Sequence, residues 1–339
     1  MGETGILRRK LSTRIVEISI GVKFFHAKLS IRGLSMMEKQ KNFVTRFAPS
    51  PNGWLHLGHA YSALLAARQA AAHKGVFLLR IEDIDTGRAR AHFVDGIYQD
   101  LAWLDLAWPE PVLVQSTRFG AYQAALAKLR DRDLVYPCWA SRAEIAAEIN
   151  AMPRGAENWP RDPDGAPVYP GIYRDITTEQ RQSLMWRGAN YAWRLRIDRA
   201  VAEAEKLNGG PLFFTELSGG TPQRIAVEAQ LFGDVVLARK DVPTSYHLSV
   251  VIDDAEQDIT HVTRGRDLKA ATHIHRVLQI LLGLPEPQYF HHELVRDISG
   301  RRLSKQAGDP GFRGLRQDGY SRDDVIAALP APIGSGAPL

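Results

Sequence analysis

The sequence predicts an α/β protein built on one doubly wound parallel sheet, split along the chain by a small α+β insertion. Three observations predict it. Apolar runs of buried-strand type at 43–47, 76–81, 234–239 and 260–264 alternate with segments of helical period at 60–72, 92–106, 117–135 and 268–282. Glu82 follows directly on the second run, at a strand end where ligands bind in open α/β sheets. Between the two halves lies a tract with Pro153, Pro160, Pro163, Pro167 and Pro170, bordered by mixed strand and helix patterns at 191–197 and 225–231.

In chain order, residues 1–40 carry eight Lys/Arg against three Glu, a surplus equal to the whole net charge of +5. Residues 41–339 are therefore neutral, and the overall charge says nothing about nucleic-acid binding by the body of the chain. Residues 1–36 show no clear period, and Glu17 and Lys23 interrupt their apolar stretch, which argues against a secretory signal. The pattern favours a start at Met36 or Met37, with an RNA-binding basic arm and a transit peptide as the other readings. The single cysteine, Cys138, excludes an internal disulfide framework and points to a reducing, cytoplasmic setting. No apolar run reaches the roughly 20 residues that span a bilayer, so no membrane partner is expected.

The stretch 43–72 organises the rest. A strand ends at Phe47, Pro49 and Pro51 then block continuation as strand or helix, and Gly53 permits a sharp turn. An alanine-rich helix follows from about His56. A strand, a stiff turn and a helix N-terminus form an anion-binding device. His56 and His59 lie three residues apart on its first turn and can face one ligand, and Gly58 between them allows close approach to the backbone. A core histidine pair on an ordinary amphipathic helix is the plainer reading of these four residues alone. Asp83 and Asp85, beyond Glu82, read equally well as turn or capping residues. Residues 136–141 read as a loop, 142–150 as a short helix, and the tryptophans at 103, 108, 139, 159, 186 and 193 as core or loop anchors. The expected organisation is a basic extension at 1–40, a discontinuous catalytic domain at 41–106 and 232–306, an insertion at 107–231 and a short tail at 307–339.

The run Arg46-Phe-Ala-Pro-Ser-Pro51 with His56-Leu-Gly-His59 resembles the first ATP-binding motif of class I aminoacyl-tRNA synthetases, in its glutamate branch. Gly300-Arg-Arg-Leu-Ser-Lys-Gln306 resembles the mobile second motif of that class: Ser304 and Lys305 are identical, Leu303 matches many glutamate-type members, Arg302 keeps the first lysine's charge, and Gln306 replaces a serine. Thr263-Arg-Gly-Arg-Asp-Leu268 is a further family-like run. The resemblance covers about 41–306. It implies a Rossmann-like sheet and a ligase that activates L-glutamate with ATP and Mg²⁺. It places His56, His59 and Lys305 in catalysis and His56, Gly58, His59, Ser304 and Lys305 around ATP. Arg46, Phe47, Ala48, Pro49, Ser50, Glu82, Tyr246 and Arg264 fall at glutamate-contacting positions, with Glu82 accepting the ammonium group.

Many short members of this group hold zinc with Cys-x-Cys and a later Tyr-x-x-x-Cys. Here the matching runs are Cys138-Trp-Ala140 and Tyr169-Pro-Gly-Ile-Tyr173, so the expectation is that no metal is held. His291 and His292 are a poor substitute, since adjacent strand residues point to opposite faces. With 33 residues after Gln306, the expectation is no anticodon-binding domain, and the chain resembles the free-standing glutamyl-queuosine tRNA(Asp) synthetases. That implies tRNA(Asp) carrying queuosine as partner, a monomer, and an insertion of acceptor-binding type. Three alternatives stay open: a truncated or discrete glutamyl-tRNA synthetase charging the 3′ end, a catalytically silent RNA-binding paralogue, and a small nucleotidyltransferase sharing the His-x-Gly-His device.

Overall fold

The computed structural model describes residues 42–153, 155–218, 221–295 and 311–330. The chain separates into units 1–40 and 41–339, and the description concerns the second. The expectations for residues 1–36 and for the second motif at 300–306 lie outside the described residues.

The chain runs β1 (Val44–Phe47), α1 (Leu57–Ala72), β2 (Val76–Ile81), α2 (Ala91–Trp103), β3 (Leu113–Val114), α3 (Phe119–Asp131), β4 (Val135–Cys138), α4 (Arg142–Ala151), α5 (Thr178–Trp186), β5 (Ala192–Leu195), α6 (Ile197–Asn208), β6 (Phe213–Ser218), β7 (Thr221–Ala226), β8 (Val236–Arg239), α7 (Tyr246–Glu256), β9 (His261–Gly265), α8 (Ala271–Leu282), β10 (Gln288–His292), α9 (Phe312–Gln317) and α10 (Arg322–Ala327).

β1, β2 and β3 form one parallel group, and β9, β10 and β6 another, with β7 antiparallel at its edge. Thr260, just before β9, stitches the two groups together. Its N–H donates to the Val44 carbonyl at 3.0 Å, and its hydroxyl accepts from the Val44 N–H at 2.8 Å. The order is therefore β3-β2-β1 on one side of the seam and β9-β10-β6-β7 on the other. Strand order reverses at that seam, the place where a doubly wound sheet opens a crevice. Helix α1 covers it closely because Ala60, Ala63 and Ala66 present almost no side chain to the sheet, and all three are fully buried. Helix α8 buries Ile274, Val277, Leu278 and Leu281 on one face and stops at Gly283 in the left-handed region, φ 68°.

A separate antiparallel sheet has the order β4-β5-β8. The expected loop at 136–141 is thus a strand as far as Cys138. Pro137 reads as a breaker, but β4 is an edge strand, where a missing N–H is tolerated. Strand pairing also crosses the boundary drawn at 231/232: β8 pairs with β5, while β6 pairs with β10 of the parallel group. In the tail, α9 and α10 are regular helices that dock on the core, with Val325 buried and Arg316 donating to Asp100 at 2.8 Å. Trp186 departs from the anchoring role read from the sequence, being 91 % exposed at the end of α5.

Candidate active site

The C-terminal ends of β1, β2, β9 and β10 converge on one cavity of about 530 Å³. Arg46, Phe47, Ala48, Pro49, Ser50, His56, Gly58, His59, Glu82, Tyr246 and Arg264 all line it. Every described residue expected from the sequence is therefore brought together, while Ser304 and Lys305 lie outside the described residues.

The two histidines form the N-terminal cap of α1. His56 Nδ1 accepts from the Gly58 N–H at 3.1 Å, and His59 Nδ1 accepts from the His56 N–H at 3.2 Å. Both Nδ1 atoms therefore lack a proton, and the proton of each neutral ring sits on Nε2. Gly58 serves the cap itself: a Cβ there would meet His56 Cε1 at 3.0 Å. The space above it is held by the imidazole, and the rings lie 3.9 Å apart between centroids. The cap sets a helix N-terminus and two imidazole rings in one corner, a combination suited to a phosphate.

On one wall a buried ion network fixes Arg46. Its Nε donates to Asp254 Oδ1 at 2.9 Å and its Nη2 to Oδ2 at 3.2 Å. The same carboxylate takes Arg80 Nη1 at 2.7 Å, and Arg80 Nη2 donates to Glu82 Oε1 at 3.1 Å. Burial would raise the Asp254 pKa, but Arg46 and Arg80 together hold it below the ordinary carboxylate value. For Glu82 burial prevails over Arg80 and Arg46, and its pKa is raised. Glu82 is thus a carboxylate that gains from a cationic ligand.

The opposite wall holds Arg264, which is 5 % exposed. Nε donates to His291 Nε2 at 3.1 Å, Nη1 to the Tyr246 hydroxyl at 2.9 Å and Nη2 to Thr272 Oγ1 at 2.8 Å. His275 Nδ1 lies 3.4 Å from Nη1. Burial pushes the His291 pKa down to about 4, although its bond to Glu216 opposes this and Arg264 adds to it. His275 is lowered well below its usual value, again by burial first and Arg264 next. The partners of Arg264 among the described residues are therefore neutral.

Asp83 and Asp85 each hold a neighbouring residue, and both line a second cavity beside the first. Asp83 accepts from the Ser116 N–H at 2.7 Å and its hydroxyl at 2.6 Å, and Asp85 accepts from Arg88 Nε at 2.6 Å. This second cavity, of about 340 Å³, shares Ser50, Asn52, Glu82 and Tyr246 with the first and continues to Arg88 and Arg239.

Sequence reasoning missed Arg80, Asp254, Thr272 and the Glu216–His291 pair. For Arg80, a charge inside the apolar run 76–81 was the available signal. His292 turns away from His291, as strand alternation requires, and its Nε2 lies 2.7 Å from Ser62 Oγ.

The positions that would hold zinc carry a different structure. The Cys138 thiol donates to the Tyr169 hydroxyl at 3.2 Å, which also accepts from the Tyr173 N–H at 3.1 Å, and the Arg194 guanidinium lies 3.9 Å over the Tyr169 ring. One thiol and two phenols do not fit a tetrahedral zinc site. Among the described residues no group of three or more His, Cys, Asp or Glu could hold a metal ion, and no helix is long and apolar enough to cross a membrane.

Residues 42–330 match the family of tRNA synthetases class I (E and Q), catalytic domain. The chain is 46 % identical over 282 residues to a glutamyl-Q tRNA(Asp) synthetase of Rhodobacter capsulatus, covering 83 % of this chain and 98 % of that one. It is 38 % identical over 293 residues to the protein of that name from Symbiobacterium thermophilum, covering 84 % of each. The crystal structure of a glutamate tRNA ligase from Elizabethkingia meningosepticum in complex with its amino acid shares the fold, with a TM-score of 0.61 at 24 % identity. The match covers 82 % of this chain and 53 % of that one, so this chain spans about half the length of that ligase. The family profile, the two relatives and the sheet topology agree: the chain belongs to the class I tRNA synthetases of glutamate and glutamine type, and is a ligase of the aminoacyl-tRNA synthetase kind.

Proposed function

We propose that the chain activates L-glutamate with ATP and transfers the glutamyl group to queuosine in the anticodon of tRNA(Asp). The observation that carries the first half is the state of Arg264, a buried cation whose described partners are all neutral, facing the cavity that Glu82 and the histidine cap also line. A ligand with two carboxylates and one ammonium group complements that set: a carboxylate for Arg264, the ammonium for Glu82.

The remaining carboxylate oxygen attacks the α-phosphorus of ATP, and pyrophosphate leaves. Charge grows on the phosphoryl oxygens, so the task is placement and electrostatic stabilisation. His56 and His59 donate from Nε2 at the N-terminus of α1, and Ser304 and Lys305 complete the phosphate shell. Mg²⁺ enters on the ATP phosphates as part of the substrate. A hydroxyl of the queuosine ring then attacks the adenylate carbonyl, and AMP leaves. The second cavity, which shares Glu82 and Tyr246 with the first, is the approach for that acceptor. The names carried by the two relatives support queuosine as the acceptor. We place the reaction in the cytoplasm, on a monomer, with the insertion contacting the RNA.

Labelled glutamate and ATP, offered tRNA from cells that make queuosine and from cells that cannot, test the reading. Label is expected on the first pool alone, and glutamate-dependent ATP–pyrophosphate exchange is expected without any tRNA. Equal labelling of both pools, with the label on the terminal ribose, would replace it with 3′-end charging.

A further inference from the structure

We infer that Glu216 and His291 are a positioning pair for Arg264, and that this pair sets the preference of the cavity for a carboxylate over a carboxamide. The inference rests on the proposed role of Arg264 toward glutamate. The three residues stand on adjacent parallel strands. His291 of β10 is in register with Arg264 of β9, and Tyr289, two residues before His291, is in register with Glu216 of β6. Side chains two apart on a strand share a face, so a polar row crosses the sheet just below the cavity.

The chemistry of that row has one solution. Arg264 Nε can only donate, so His291 Nε2, 3.1 Å away, must accept. The imidazole proton is then on Nδ1 and is donated to Glu216 Oε2 at 2.7 Å. The His291 and Glu216 side chains are 1 % and 5 % exposed, and Lys269 Nζ stands 3.8 Å from the other Glu216 oxygen. Glu216 thus fixes the histidine tautomer, and the histidine fixes the guanidinium plane.

That plane matters to the ligand. With Nε, Nη1 and Nη2 each held, the edge turned to the cavity presents N–H groups in a fixed arrangement. A carboxylate meets them with two acceptor oxygens, whereas a carboxamide meets them with one acceptor and one donor. A guanidinium released at Nε can tilt to a single hydrogen bond, which an amide satisfies as well as an acid.

ATP–pyrophosphate exchange driven by glutamate or by glutamine tests the pair in His291→Asn and Glu216→Gln. Asparagine keeps a donor for Glu216 and removes the acceptor for Arg264, and Glu216→Gln keeps shape and an acceptor while removing charge. In His291→Asn the glutamate KM is expected to rise roughly 10- to 100-fold, as for one lost hydrogen bond to a charged group. The glutamate-over-glutamine ratio of kcat/KM should fall with it, and the ATP KM should move less than about twofold. Glu216→Gln should shift the same quantities in the same direction by less. KM does not depend on the folded fraction, so partial misfolding does not imitate this result, and Glu216→Gln carries the test if the other variant fails to fold. Unchanged glutamate KM and discrimination in a chain whose parent shows glutamate-dependent exchange would overturn the inference alone, as would a fall in kcat with every KM intact. A parent without glutamate-dependent exchange would overturn the functional reading and this inference together.

Discussion

Arg46 and Arg264 line the same cavity, from β1 and β9 on either side of the seam, and both are nearly buried, at 3 % and 5 % exposure. Their surroundings differ in kind. Arg46 meets a carboxylate through two parallel hydrogen bonds, from Nε and Nη2, and that carboxylate is shared with Arg80. Arg264 meets an imidazole, a phenol and a threonine hydroxyl. Burial of a charge is costly unless it is paired, so the two arginines are held in different electrostatic states. The charge of Arg46 is neutralised inside the fold, where it helps to fix β1 against α7. The charge of Arg264 is only held in place by neutral groups, and in the proposed function a ligand carboxylate completes it.

Substitution separates these tasks. Arg46→Met leaves Asp254 buried with Arg80 as its remaining partner, and the expected effect is on stability. Breaking a buried ion pair costs about 3–5 kcal/mol, and the lower end applies because one pair survives. The urea midpoint reads it. Arg264→Gln removes no buried carboxylate's direct partner, so its midpoint should move far less. Its glutamate KM should rise by roughly two decades, the order expected for two charge-assisted hydrogen bonds, with the ATP KM little altered. An Arg264→Gln chain that unfolds while Arg46→Met loses only glutamate would exchange the two roles.

The same contrast explains what the sequence disclosed. Arg46 and Arg264 were legible because each stands inside a run that resembles a family motif, Glu82 because it ends a buried strand, and Tyr246 through the family resemblance alone; all four line the cavity. Glu216, Thr272, Asp254 and His291 stand in no such run. They meet the site through strand register and helix packing, which join positions 75 residues apart for Glu216 and His291 and 208 apart for Arg46 and Asp254. The parallel sheet was legible from its apolar runs. The partition of strands between the two sheets was not, because β8 reads as a buried parallel strand and pairs antiparallel with β5. Pro137 concealed β4 for a local reason, since a proline is a sign against a strand everywhere except at an edge.

Acid titration sharpens the comparison with the smallest expected effect, because the two walls respond in different pH windows. On the Arg264 side burial, reinforced by the Arg264 charge, lowers His247 and His291 to about 4 and puts His275 well below its usual value. The unfolded chain binds protons at these positions near the ordinary 6.5, before the folded one does. Their contribution is therefore complete above about 6.5 and is lost as pH falls toward 4. On the Arg46 side the pKa of Asp254 is depressed below its ordinary 3.8, so its contribution survives to 3.8 and is lost only below it. Glu82 works the other way. Burial raises its pKa above the ordinary 4.5, so the fold takes up that proton before the unfolded chain does, which adds a little stability on acidification. A protonated Glu82 no longer accepts an ammonium group, so the same step weakens glutamate binding. The melting temperature should then decline steadily between pH 6.5 and 4, in steps of pH at constant ionic strength, and fall again below 3.8. Glutamate KM should rise on acidification before pH 4.5 is reached. A melting temperature flat from 7 to 4 would mean that these histidines are charged in the fold, and that Arg264 is not surrounded by neutral partners.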